Sequence, residues 1–99
     1  MSKKQIIATL VQPHVKAFLK KYGIFQVALF GSYARNEATK HSDVDLLYIQ
    51  DKKTKIGLEF FDIVQFLEKI LQKKVDFIEI SSLHRSLKKH ILADKIDIL

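Results

Sequence analysis

The sequence predicts an α/β fold, in which a small β-sheet of three or four strands is flanked by helices. Segments with the apolar spacing of helices alternate along the chain with short apolar runs typical of strands. Of the 99 residues, 47% are hydrophobic, and a chain of this length and composition can form one packed core. We therefore expect a single domain over residues 1–99.

The first third of the chain predicts two helical segments and a strand. Residues 4–22 carry apolar side chains at helical spacing. Pro13 should interrupt that helix, because proline has no N–H group and its ring clashes with the preceding turn. Gly23 is suited to end the helix. The apolar run at 25–30 predicts a buried strand.

The remaining segments continue the alternation of helices and strands. The Gly31-Ser32 pair predicts a tight turn. The segments after it predict a short helix at 33–37, a polar loop at 36–42 and a second strand at 43–49. They then predict a solvated turn at 51–55, a long amphipathic helix at 56–71 and a third strand at 75–80. Ser81 or Ser82 is expected to cap a last helix at about 83–93, before a short edge strand at 96–99.

Composition and charge restrict the classes of function. The net charge is +6, but the lysines are spread evenly, which fits a solvated surface better than a polyanion site. There is no arginine-rich stripe with interleaved aromatic residues, so nucleic-acid binding is not expected. No signal peptide and no apolar run of about 20 residues is visible, and cysteine is absent. We expect a cytoplasmic protein with no membrane segment.

Asp43 and Asp45 are the first candidate metal ligands. Two residues apart on a strand, their carboxylates would project from one face, while Val44 and Leu46 would face the core. Neighbouring carboxylates repel each other, and Mg²⁺ relieves that repulsion because it binds one or two carboxylates together with waters and substrate phosphates. Alone, an Asp-x-Asp pair is more often a solvated strand edge or turn cap.

Gly31, Ser32 and Arg35 are candidate phosphate-binding residues. Glycine after a strand lets backbone N–H groups approach a ligand closely, and the Ser32 hydroxyl can donate to phosphate oxygens. The Arg35 guanidinium could bind phosphate in a bidentate manner. The alternatives are an ordinary turn for the glycine and serine, and an ion pair with Glu37 or an aspartate of the same loop for the arginine.

Asp76 would complete the site if the third strand lies beside the second. A third carboxylate suits a site for two metal ions or a general base for an incoming hydroxyl, whereas the alternative is a solvated aspartate after Lys73 and Lys74. The joint pattern of Gly-Ser-x-x-Arg, then Ser42, then Asp-x-Asp-Leu, all between apolar strands, is much more specific than any of its parts.

These residues resemble a known family. The segments at 31–35 and 42–46 are similar to the signature of the DNA polymerase beta-like nucleotidyltransferases, in particular the minimal nucleotidyltransferases (MNT domains) of bacteria and archaea. The similarity extends over nearly the whole chain. It differs at Asn36, where glycine often follows the arginine; asparagine tolerates the left-handed backbone conformation, so the match is little weakened.

The resemblance implies a nucleotidyltransferase fold with a mixed sheet, and a magnesium-dependent reaction with ATP or another NTP. It implies that Asp43, Asp45 and Asp76 bind metal, with two Mg²⁺ ions expected, and that Asp76 also helps to activate the acceptor. It assigns Gly31 and Ser32 to the triphosphate, and we add Arg35 and Ser42 as nucleotide-binding candidates. Many such small proteins are antitoxins paired with HEPN-domain toxins, and some add AMP to the toxin.

The acceptor is the main open point. Larger transferases of this kind have a second domain that holds the acceptor, and no such segment follows the last predicted helix. A protein acceptor, or association as a homodimer or hetero-oligomer, is therefore expected. The alternative is a non-catalytic antitoxin that neutralises a HEPN toxin by binding alone, and antibiotic nucleotidylation is a further, less favoured reading.

Overall fold

The computed structural model describes all residues from Met1 to Leu99 and has a four-stranded mixed sheet with helices on both faces. The predicted architecture is confirmed. In chain order the elements are α1 (Lys3–Leu10), α2 (Pro13–Lys21), β1 (Ile24–Phe30), α3 (Gly31–Ala34), β2 (Val44–Gln50), α4 (Glu59–Leu71), β3 (Val75–Glu79), a 3₁₀ turn (Ile80–Ser82), α5 (Arg85–Asp94) and β4 (Ile96–Asp97).

The strand order in the sheet is β3-β2-β1-β4. Strand β1 pairs antiparallel with β2 and with β4, whereas β2 and β3 are parallel neighbours connected through α4. The third strand therefore lies beside the second, which was the condition for Asp76 to join the other carboxylates. The short β4 forms the edge strand that the sequence predicted at the C-terminus.

One face of the sheet carries most of the core. Apolar side chains of α1, α2 and α4 pack there against alternate residues of β1, β2 and β3, in a cluster of 18 buried residues. Val44 and Leu46 are fully buried in this cluster, as their alternation with the aspartates predicted. The opposite face has a small cluster of Ala28, Phe30 and Leu47, against which Ile91 of α5 packs. We call this opposite face the site face.

Several helix boundaries differ from the predictions. The break at Pro13 is confirmed, and Gly23 follows the end of α2 with a φ of +76°. The short helix begins at Gly31, two residues before the predicted start. The long helix begins at Glu59 and not at residue 56, because Gly57 and Leu58 form a turn in which the Glu59 carboxylate accepts a hydrogen bond from the Gly57 N–H group.

The predicted serine cap of the last helix is wrong. Ser81 and Ser82 belong to the 3₁₀ turn, and α5 starts at Arg85 with His84 as its cap. The His84 Nδ1 atom accepts a hydrogen bond from the Ser86 N–H group at 3.2 Å, which satisfies a donor of the first helical turn. The Ser82 hydroxyl donates instead to the Glu79 carbonyl oxygen.

Two strand boundaries also shift. The first strand starts at Ile24, and its register is irregular between Ile24 and Gln26, so Phe25 is 51% exposed in a strand predicted to be buried. The second strand starts at Val44, so Asp43 lies one residue before it. No helix is both long and apolar enough to span a bilayer.

Candidate active site

Two of the predicted carboxylates lie side by side where β2 and β3 begin, and the third lies just before β2. Asp45 pairs in register with Asp76 on the adjacent parallel strand, and neighbouring strands are only about 4.8 Å apart. Asp43 precedes β2, and the N–H group of the next residue, Val44, donates to the Lys74 carbonyl oxygen at 2.9 Å. This backbone bond holds the entry to β2 against the entry to β3.

The three carboxylates act on each other electrostatically. Partial burial, then the hydrogen bond and charge of the neighbouring Asp76 carboxylate, and then the charge of Asp43 together raise the pKa of Asp45 to about 6, and only Arg35 acts in the opposite direction. A group of like charges held together in this way is typical of a cation site.

The donor set fits Mg²⁺ together with a nucleotide. No three His, Cys, Asp or Glu side chains converge closely enough to form a metal site by themselves. That finding agrees with the chemistry of Mg²⁺, which keeps several waters and is usually bound by one or two carboxylates and by substrate phosphates. Asp45 and Asp76 supply two adjacent carboxylates, and Asp43 supplies a third charge nearby.

Gly31 lies directly against Asp45. It follows Phe30, which pairs with Asp45 across β1 and β2, and its φ is +76°. A Cβ atom at residue 31 would stand 2.2 Å from the Asp45 Oδ2 atom, so only glycine fits. Ser32 lies beside it in α3 and is partly exposed. The structure thus brings the predicted glycine turn and the carboxylates together.

Arg35 and Ser42 make local contacts. The Arg35 Nε atom donates to Glu37 at 3.0 Å, and its Nη1 atom lies 3.6 Å from the Asp94 carboxylate of α5. The Glu37 pair was one of the alternatives for Arg35, but the link to α5 had no local signal in the sequence. The Ser42 hydroxyl accepts a hydrogen bond from the Thr39 N–H group at 2.8 Å and so closes the loop before Asp43.

Two lysines donate hydrogen bonds to the backbone of the segment between Gly31 and Asp43. The Lys73 ammonium donates to the Lys40 carbonyl oxygen at 2.8 Å and lies 5.7 Å from the centre of the Tyr33 ring. The Lys3 ammonium donates to the Ala34 carbonyl oxygen at 3.2 Å. Sequence reasoning missed both contacts, because each joins residues more than 30 positions apart.

The structure thus has paired carboxylates beside a glycine turn, which is the arrangement predicted for a nucleotidyl-transfer site. Residues 11–98 match the family of nucleotidyltransferase domains, and the chain belongs to that family. It is a nucleotidyltransferase with the fold of the minimal members, as the resemblance predicted.

Two curated relatives are similar over most of the chain. MJ1379 of Methanocaldococcus jannaschii, named as a candidate protein adenylyltransferase, is 39% identical over 92 residues, which cover 91% of this chain and 92% of that protein. The protein adenylyltransferase MntA of Thermococcus cleftensis is 31% identical over 90 residues, which cover 91% of this chain and 90% of that protein.

Solved structures share the fold. One described as a candidate minimal nucleotidyltransferase has a TM-score of 0.80 at 28% identity, over 97% of this chain and 95% of the other. A chain from a complex of tri-AMPylated Shewanella oneidensis HEPN toxin with MNT antitoxin has a TM-score of 0.59 at 19% identity, over 98% of this chain and 68% of the other. At that identity the second likeness shows the fold alone.

Gly31→Ala is expected to disturb the site more than the fold core. The added methyl group would displace the Asp45 carboxylate and strain a backbone with φ +76°, so we expect a loss of about 1–2 kcal/mol in the free energy of unfolding and a loss of nucleotide binding. Gly57→Ala is the matched control, because a Cβ atom there would lie 3.4 Å from Glu59. Equal effects of the two variants in thermal denaturation and nucleotide titration would contradict this account.

Asp45→Asn is expected to stabilise the protein at neutral pH. The folded pKa of about 6 lies above the ordinary value of 3.8, so the native state binds more protons than the unfolded state between these values, and stability falls as pH rises through that window. Removing the charge should add about 1 kcal/mol at pH 7.5, a value discounted for partial exposure. Thermal denaturation should show this gain shrinking as the pH falls from 6 to 4. A gain that is independent of pH would contradict the prediction.

Lys73→Met is expected to loosen the segment between Tyr33 and Asp43. It removes the hydrogen bond to Lys40 and the contact with the Tyr33 ring, which together should contribute about 1 kcal/mol. We expect weaker nucleotide binding and faster hydrogen exchange of the loop amides. Lys74→Met is the control, because that side chain is exposed. The same result from both variants would show that Lys73 has no positioning role.

Proposed function

We propose that this chain transfers AMP from ATP to a hydroxyl group of a HEPN-domain partner protein, and so acts as the antitoxin of a toxin–antitoxin pair. The observation that carries the proposal is the register of Asp45 with Asp76 beside Gly31, because it gives carboxylates and a close backbone approach at one point. The relatives named as protein adenylyltransferases support a protein as the acceptor. The solved complex of AMPylated HEPN toxin supports the partner class.

The reaction is an in-line displacement at the α-phosphorus of ATP. The acceptor oxygen forms a bond to the α-phosphorus, the bond to the oxygen bridging the α- and β-phosphates breaks, and pyrophosphate leaves. Asp76, which is exposed at the start of β3, is proposed to orient the hydroxyl or accept its proton.

Asp43, Asp45 and Asp76 are the proposed ligands of Mg²⁺, with two ions in the loaded site. The metal would neutralise the triphosphate and stabilise charge on the transferred group. The backbone at Gly31 and the hydroxyl of Ser32 are proposed to bind the phosphates. Arg35 is proposed to exchange its carboxylate partners for phosphate oxygens, since both of its ion pairs are exposed and weak. Ser42 is proposed to act by shaping the loop and donating its free hydroxyl proton.

Residues 1–99 are proposed to form one catalytic domain that a partner completes. The proposed use of ATP supports the cytoplasm as the place of the reaction. The second candidate function is neutralisation of the partner by binding alone. That function does not require carboxylates to be held close together, an unfavourable arrangement that raises the pKa of Asp45. This arrangement favours the catalytic reading, because charged groups held together against their repulsion are typical of functional sites.

The double variant Asp43→Asn/Asp45→Asn tests the function. Purified protein is incubated with α-labelled ATP, Mg²⁺ and a purified HEPN-domain protein as the candidate acceptor. We expect label on the HEPN-domain protein with the natural chain and at least a thousandfold less with the variant, because the site loses two of its three carboxylates. Thermal denaturation should show that the variant is folded.

The controls separate the two candidate functions. Asp51→Asn/Asp62→Asn removes two exposed carboxylates outside the site and should leave labelling unchanged. Inhibition of the HEPN-domain protein without any label, by both the natural chain and the double variant, would establish the binding-only antitoxin and overturn the proposed transfer.

A further inference from the structure

The site face is the side from which an acceptor reaches the carboxylates. Asp45, Leu47 and Ile49 alternate along β2 and therefore share this face of the sheet. The other face is covered by α1, α2 and α4. Helix α5 lies across the site face, where Ile91 packs on the cluster of Ala28, Phe30 and Leu47. An acceptor protein must therefore contact α5 or the sheet beside it.

A cavity lies beside α5 on this face. It has a volume of about 190 Å³, and seven of its ten lining residues are hydrophobic, among them Ala28, Leu47, Ile49, Ile80 and Leu92. Apolar cavities of about 150 Å³ accept a group as large as benzene. Ile49 lies four residues beyond Asp45 on β2, which corresponds to about 13 Å. One apolar side chain of a bound protein can therefore fill the cavity while another segment reaches the carboxylates.

A row of cations on α5 leads to the same cavity. Arg85, Lys88 and Lys89 lie at positions i, i+3 and i+4, and Leu92 follows at i+7, so the four share one side of the helix. None of the three cations takes part in the salt bridges of the chain. Leu92 is 38% exposed and forms part of the cavity wall. We call these four residues and the cavity the α5 surface.

We propose that the α5 surface docks the acceptor protein through an acidic segment that carries one apolar anchor residue. The anchor would fill the cavity, and carboxylates on either side of it would pair with the unpaired cations of α5. This inference rests on the proposed function, since it assigns the binding site of the acceptor. It gives the acceptor a binding site on the nucleotidyltransferase domain itself.

The chemistry of the surface favours this occupant over others. A nucleic acid would use the cations but would leave the apolar cavity unfilled, and α5 carries no Phe, Tyr or Trp side chain for a base to stack on. A second copy of this chain would bring three further cations against the same row, in a protein of net charge +6. Like charges at an interface oppose association.

Two variants test the docking surface. Leu92→Arg places a charged side chain at the cavity wall, and Lys88→Glu/Lys89→Glu reverses two charges of the row. Binding of the purified HEPN-domain protein is measured by titration calorimetry without nucleotide, and the KM for that protein is measured in the labelling assay. We expect each variant to weaken binding at least tenfold and to raise this KM by a similar factor. Binding of ATP analogue with Mg²⁺ should be unchanged.

Matched controls come from the opposite side of the molecule. Phe61→Arg changes a side chain that is 68% exposed on α4, and Lys4→Glu/Lys69→Glu reverses two exposed charges on α1 and α4. Both should bind the HEPN-domain protein as the natural chain does. Higher salt should reduce the difference between the charge-reversal variant and the natural chain, because exposed charges are screened. An acidic residue of the partner changed to lysine should restore binding to Lys88→Glu/Lys89→Glu.

The outcomes separate this inference from the proposed function. Labelling with an unchanged KM in both variants would overturn the docking surface while the transfer stands. Tight binding that both variants weaken, without any labelling by the natural chain, would support the docking surface and overturn the transfer. Loss of dimerisation or of an RNA mobility shift in the variants, with unchanged binding of the HEPN-domain protein, would overturn the docking surface.

Discussion

The repulsion between carboxylates at the start of β2 and β3 is the constraint on which the rest of the structure depends. Asp45 points to the site face because Val44 and Leu46 are fully buried on the other face, and a slip of one residue would exchange the two sets. The core cluster under β2 therefore sets the direction of the Asp45 carboxylate. Packing energy on one face of the sheet maintains an unfavourable charge arrangement on the other.

The residues around the carboxylates restrict how that repulsion can relax. Gly31 leaves no space for a side chain and brings its backbone against Asp45, while Lys73 and Ser42 hold the loop that leads to Asp43. The carboxylates cannot move apart without disturbing these contacts. Burial, together with the neighbouring Asp76 and Asp43 carboxylates, therefore favours the protonated form of Asp45 and raises its pKa, and a bound cation would relieve the same repulsion.

Local patterns in the sequence predicted the type of nearly every element and the joint signature of the site. The break at Pro13 and the alternation in β2 depend on residues close in the chain, so they could be predicted. The sequence did not predict that β2 and β3 are neighbours. It allowed only the statement that Asp76 completes the site if they are. The links from Arg35 to Asp94 and from Lys73 to Lys40 depend on how distant segments pack, and no pattern near either residue indicates them.

Binding of a ligand at the site also affects the stability of the folded protein. A ligand that binds only the native protein stabilises it according to its concentration and affinity, and here such a ligand also removes a repulsion that the empty site retains. The empty form is therefore the less stable one, and residues near the carboxylates should gain most order on loading. On the proposed function, a nucleotide that draws Arg35 to its phosphates would break the contact of Arg35 with Asp94 of α5. Because that ion pair is exposed and weak, its loss would leave α5 held on the sheet by the packing of Ile91.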